Sequence, residues 1–79
     1  MQKSQHNAAY ERLVAALKAA RERAGLTQEQ AAEKLGAYET FFSKVETRER
    51  RVDVVELVAI CKVFGADPVQ LMREAGLIE

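Results

Sequence analysis

The sequence predicts an all-α fold of five short helices, and three observations carry that prediction. Ala occurs 13 times and Leu seven times, against a single Pro, so the residues of highest helix propensity dominate and the strongest breaker is nearly absent. Apolar residues recur at three- and four-residue spacing in several stretches. Gly25, Gly36, Gly65 and Gly76 each follow such a stretch, where a helix wants a left-handed residue beyond its end.

The first helix is expected over about residues 7–24. Tyr10, Leu13, Val14, Leu17, Ala20 and Ala24 form one apolar stripe, and Glu11, Arg12, Lys18, Arg21, Glu22 and Arg23 fall largely outside it. Residues 1–6 lack this pattern and are read as a flexible N-terminal arm, leaving residues 7–79 as one domain. The second helix opens at Thr27-Gln28-Glu29-Gln30. Thr27 and Gln30 have capping-box spacing, the hydroxyl meeting the N3 amide and the Gln reaching back. It runs through Ala31, Ala32 and Leu35 and stops at Gly36, too short to be stable without neighbours.

The third helix is expected over residues 39–46, with Phe42 and Val45 facing inward and Thr40, Ser43 and Lys44 outward. Its start is poorly capped, because Tyr38 stands where a hydroxyl or carboxamide is favoured. Residues 47–52 read as a charged loop. Asp53 caps a fourth helix to Phe64 that is apolar nearly all round, which marks a central helix or one with a second buried face. Asp67-Pro68 then supplies a cap and an N1 proline for a fifth helix ending near Ala75.

Composition excludes several functions. One cysteine, Cys61, allows no internal disulfide, and with only His6 beside it no four-ligand zinc site is available. No cofactor or metal is expected. Catalysis lacks its parts: the only His lies in the arm, so no Ser or Cys has a base, and no enzyme reading competes. Cys61 itself reads as core packing. No unbroken apolar run exceeds five residues, so no segment spans a bilayer; a soluble, cytoplasmic domain is expected. The net charge is zero, which argues against nucleic acid as a partner until its distribution is considered. Residues 1–51 carry ten Lys/Arg and seven Asp/Glu, giving +3; residues 52–79 carry two and five, giving −3.

Two short helices joined by a tight Gly turn, 28–35 and 39–46, are a helix-turn-helix arrangement. Ala32 is expected where they cross, and Gly36 takes the turn conformation that residues with a Cβ resist. The run Leu26-Thr27-Gln28-Glu29-Gln30-Ala31-Ala32-Glu33-Lys34-Leu35-Gly36, followed by Ser43-Lys44-Val45-Glu46, resembles the phage-repressor (Cro/XRE-type) helix-turn-helix family. The resemblance extends to Ala20-Arg21-Glu22-Arg23-Ala24-Gly25 and to residues 57–68, and covers about residues 10–75.

That resemblance implies a five-helix, lambda-repressor-like domain whose third helix enters the DNA major groove. By position, Gln28 is expected to bind a phosphate and brace the recognition helix. Tyr38, Glu39, Thr40, Ser43 and Lys44 are expected to face bases. Phe41 is left either to the groove or to the core, since beside Phe42 only one ring is expected to point fully inward. Arg48, Arg50 and Arg51 are expected to reach the DNA backbone, although charge runs of this kind also occur as plain solvated loops.

Three departures from the family pattern stand out. Thr47-Arg48 replaces the frequent Asn-Gly after the recognition helix, Tyr38 replaces a hydroxyl cap, and Glu39 replaces a neutral or basic residue. A carboxylate in the groove repels phosphate but accepts a hydrogen bond from cytosine N4; Glu39 is also placed to accept one from the Gln28 amide. The expected function is sequence-specific binding of double-stranded DNA by a small repressor-type transcriptional regulator, as a homodimer on a palindromic operator. The surplus apolar face of the fourth helix, with Met72, Leu77 and Ile78, is the expected dimer interface. The alternative is a protein-interaction module that keeps the fold without DNA binding, motivated by zero net charge, Glu39, and the aromatics Tyr38 and Phe41.

Overall fold

The computed structural model describes residues 7–79, so the expected arm over residues 1–6 and His6 lie outside the described residues. Five helices follow in order: α1 (Ala8–Arg23), α2 (Gln28–Leu35), α3 (Phe41–Glu46), α4 (Val54–Phe64) and α5 (Pro68–Glu74). Among the described residues there is no strand, and no helix is long and apolar enough to cross a membrane.

Local chemistry fixes most of the boundaries. Asn7 caps α1 by accepting from the Ala9 amide. At α2 the Thr27 hydroxyl accepts from the Gln30 backbone amide and the Gln30 side-chain Oε1 accepts from the Thr27 backbone amide, both at 3.0 Å. Asp53 and Glu56 repeat the same reciprocal box at α4. Asp67 caps α5 ahead of its N1 proline. Gly36 (φ +77°) and Gly65 (φ +67°) close α2 and α4 in the left-handed region, where a Cβ costs about 1–2 kcal/mol.

α3 begins two residues later than its sequence suggests. Glu39 and Thr40 belong to a turn closed by the Phe41 amide on the Tyr38 carbonyl at 3.0 Å. Thr40, the residue before the helix, makes no side-chain cap hydrogen bond, and Tyr38 has no acceptor suited to the role. The turn therefore replaces the helical start that apolar spacing alone indicated.

The core forms where α2, α3 and α4 meet over α1. α2 packs on α3 and α4, and α1 packs on α3 and α5. Ala31, Ile60 and Cys61 are fully buried, and Ala32 belongs to the same core cluster. Burial pushes the Cys61 thiol above its usual range, which suits an inert packing group. α1 buries Tyr10, Val14, Leu17 and Ala20 as its spacing requires, but Arg21 is buried with them and Ala24 is exposed. α5 is tied back to α1 where Arg12 Nε donates to the Ala75 carbonyl at 2.7 Å.

α4 is one-sided rather than central. Leu57, Ile60, Cys61 and Phe64 face the core, while Val54 and Val55 are 74% and 79% exposed and Val58 lies open beside them. Met72, assigned from sequence to an outer apolar surface, packs instead against the core; Leu77 and Ile78 remain exposed.

Candidate nucleic-acid interface

One carboxylate organises the junction of α1, α2 and α3. Glu46, at the end of α3, accepts from Arg21 Nε at 2.7 Å and Arg21 Nη2 at 3.2 Å. Its Oε1 also accepts from Gln28 Nε2 at 2.9 Å, at the first residue of α2. Arg21 Nη1 donates to the Leu26 carbonyl at 2.7 Å, so the guanidinium also holds the loop between α1 and α2. The Arg21 and Glu46 side chains are only 10% and 7% exposed. The hydrogen-bonded Glu46 carboxylate raises the Arg21 pKa further above its ordinary value, against the opposing effect of burial.

This network assigns Gln28 its place. Its amide N–H reaches Glu46 and not Glu39, which removes the Gln28–Glu39 hydrogen bond expected from sequence. Arg21 and Glu46 were missed as site residues, although a signal existed. Tyr10, Val14, Leu17 and Arg21 are spaced four, three and four apart, so Arg21 continues the buried stripe of α1. A charged residue on such a stripe requires a buried partner.

The outer side of the helix-turn-helix carries polar groups. Tyr38, Glu39 and Thr40 are exposed in the turn before α3. Lys44 is exposed on the helix, and Ser43 is half-buried with its hydroxyl donating to the Thr40 carbonyl at 2.9 Å. Tyr38, Glu39, Thr40 and Lys44 are thus exposed, and Ser43 half-exposed, at and just before the short helix.

Phe41 is different. It is 3% exposed, so both Phe41 and Phe42 point inward and the groove-facing option for Phe41 is withdrawn. The spacing argument treats α3 as a helix with one buried side. α3 packs on α2 and α1, and Arg50 of the following loop covers Phe41, so its buried arc takes two adjacent rings. Phe41 meets Phe42 edge-to-face at 5.0 Å and Tyr38 edge-to-face at 5.7 Å between ring centres.

The three loop arginines do not act alike. Arg48 is exposed and holds φ +66°, the only non-glycine residue in the left-handed region among those described. It occupies the place where glycine is frequent in the resembling family, and glycine adopts this conformation without strain. Arg51 lies over the Tyr10 ring with its guanidinium carbon 4.0 Å from the centroid. Arg50, read from sequence as a DNA-backbone contact, has partners within the fold. It forks onto Glu56 at 3.0 and 2.7 Å, donates to the Arg51 carbonyl, and stacks over Phe41 at 4.7 Å. The pairing raises the Arg50 pKa, and the Arg50 hydrogen bond, then the Asp53 amide, hold Glu56 below the usual carboxylate range. Among the described residues Lys44, Arg48 and Arg51 make no ion pair.

An acidic cleft flanks the turn before α3. Glu29, Glu33, Ala37 and Glu39 line it, so Glu39 faces the outer side of α2. Tyr38 leans the other way, onto Phe41.

Comparison with known proteins agrees with this architecture. Residues 12–75 match the model of a helix-turn-helix domain family. Among solved structures, the chain is similar to an XRE-family like protein from Pseudomonas syringae pv. tomato str. DC3000. The identity is 41% and the TM-score 0.83, covering 92% of this chain and 89% of that one. It is also similar to the clp gene regulator ClgR from C. glutamicum, at 28% identity and TM-score 0.77, over 86% of this chain and 88% of that one. No curated protein matches the sequence significantly. Family match, five-helix topology and solved relatives agree: the chain belongs to the XRE-type helix-turn-helix family, a non-enzymatic class of DNA-binding transcriptional regulators.

Proposed function

We propose that this protein is a cytoplasmic, repressor-type regulator that reads a palindromic operator as a homodimer. The observation that carries the reading is the Arg21–Glu46–Gln28 network. It fixes the start of α2 against the end of α3, so that a phosphate-binding position and a base-reading edge have one rigid relationship. Gln28 retains its side-chain oxygen and second amide hydrogen, and it sits at a helix start, where partial positive charge favours a phosphate. Tyr38, Glu39, Thr40, Ser43 and Lys44 are the base-facing set. Arg48 and Arg51 supply cations to the DNA backbone beside them.

A single α3 of six residues reaches only a few base pairs, too few for specificity in a genome. Two copies about a two-fold axis place their recognition helices ~34 Å apart, one turn of duplex. Val54, Val55 and Val58 form the apolar surface suited to that pairing. Selection of bound sequences from a random duplex pool tests the reading, followed by stoichiometry on the enriched site. An inverted-repeat consensus bound by two chains supports it. Enrichment of no sequence at low salt refutes it. The interaction-module reading, which the carboxylates of Glu29, Glu33 and Glu39 beside α3 favour, then takes its place.

A further inference from the structure

We propose that Arg50 is a positioning residue of the base-reading edge, holding the Tyr38 ring through Phe41 without touching DNA; the inference rests on the DNA-reading role argued above. Glu56 is anchored first, since its carboxylate closes the capping box of α4 on the Asp53 amide at 3.1 Å. That anchored carboxylate takes both forks of Arg50, at 3.0 and 2.7 Å. The planar guanidinium then lies over one side of Phe41 at 4.7 Å. Phe41 is enclosed by this cation, by Phe42 and by Tyr38, whose ring is its edge-to-face neighbour. Tyr38 is 51% exposed at the turn that opens the recognition helix. The Tyr38 ring therefore rests on Phe41, and the Arg50 guanidinium lies over that same Phe41 ring.

The chemistry requires arginine in particular. A guanidinium bonds a carboxylate with two parallel N–H groups and stacks flat on a ring at the same time. Lysine keeps the charge and neither geometry. An edge-to-face contact adds attraction to an aromatic pair beyond its buried area, which biases an exposed ring toward one orientation. A side chain ordered before binding loses less freedom on contact, and the gain appears only for the base step that the ordered ring fits. Arg50 thus bears on sequence choice, whereas Arg48 and Arg51 bear on affinity for any duplex.

Arg50→Lys separates this role from a phosphate contact, because it preserves charge and removes the fork. The variants Arg50→Lys and Arg50→Ala are titrated, over a salt series, against a duplex selected by the wild type, its single-base variants and a random duplex. Both variants are expected to keep the wild-type salt slope on random duplex. Both are expected to lose discrimination at one base pair by about 2- to 30-fold. The proposal is overturned if Arg50→Ala flattens the slope by about one unit and Arg50→Lys restores wild-type binding, which is the pattern of a phosphate contact.

A second measurement needs no DNA. The protein has two tyrosines, so in a Tyr10→Phe background Tyr38 alone gives the tyrosine signal. Its near-ultraviolet circular dichroism band is expected to collapse in Arg50→Lys at unchanged helix content. An unchanged band overturns the proposal. Should the wild type bind no duplex, the DNA-reading role fails, while this band still decides whether Arg50 holds Tyr38.

Discussion

Arg21 of α1 and Glu46 of α3, 25 residues apart, form a two-point ion pair that also holds Gln28 and the Leu26 carbonyl. Each partner is nearly enclosed, so neither charge is well hydrated on its own. Arg21→Ala leaves the Glu46 carboxylate buried without its cation. The expected loss is about 3–5 kcal/mol, read from urea unfolding at neutral pH. Arg21→Lys is expected to recover only part of it, because one ammonium cannot serve both carboxylate oxygens and the Leu26 carbonyl in this geometry.

Arg48→Gly is expected to stabilise the fold and weaken DNA binding together. Arginine at φ +66° carries the left-handed penalty, and glycine removes it while adding freedom to the unfolded chain. The net gain is about 0.5–1 kcal/mol in unfolding free energy. If Arg48 meets the DNA backbone, the same change flattens the salt slope of binding by about one unit. A more stable variant with an unchanged slope places Arg48 away from the phosphates.

Glu56 makes stability depend on pH in a stated direction. Arg50 and the Asp53 amide lower its pKa in the folded protein, so the folded state favours the carboxylate. The stabilisation is present above the ordinary glutamate pKa and is lost as the pH falls through the lower, folded value. Glu56→Gln removes this dependence. The unfolding midpoint of the variant should therefore fall less than that of wild type between about pH 7 and about pH 3. Equal falls show that Glu56 is not among the groups that set acid stability.

Glu39→Gln is expected to raise affinity for random duplex, because it removes one of three carboxylates grouped beside α3. With the Gln28 amide committed to Glu46, cytosine N4 remains as the specific donor for Glu39. Discrimination at one base pair should then fall by ~1–3 kcal/mol in titrations against single-base variants of the selected duplex. Unchanged base preference with no rise in random binding puts Glu39 outside the groove.

Val55→Asp tests the pairing surface. Val55 is 79% exposed, so folding stability should change by no more than about 0.5 kcal/mol. Two charges brought together at an apolar two-fold contact should abolish dimers in analytical ultracentrifugation and reduce operator binding. A dimer that survives the substitution lies on another face.

The sequence by itself determined what is settled within a few residues of chain. The boxes at Thr27–Gln30 and Asp53–Glu56, the Asp67 cap before Pro68, and the glycines that close α2 and α4 are contacts between near neighbours. Their spacing alone implies them, and with the apolar stripes it was enough to reach five helices and a helix-turn-helix. Tertiary structure decided what depends on several elements arriving together. Phe41 is interior because Tyr38 before α3, Arg50 after it and Phe42 beside it close over the ring. Arg21 finds Glu46 across 25 residues, and Arg50 finds Glu56 on α4. Periodicity tells whether a side chain points inward; only the packed helices supply the charge it meets there, since a buried ion must be paired and that pairing is nowhere encoded in local spacing.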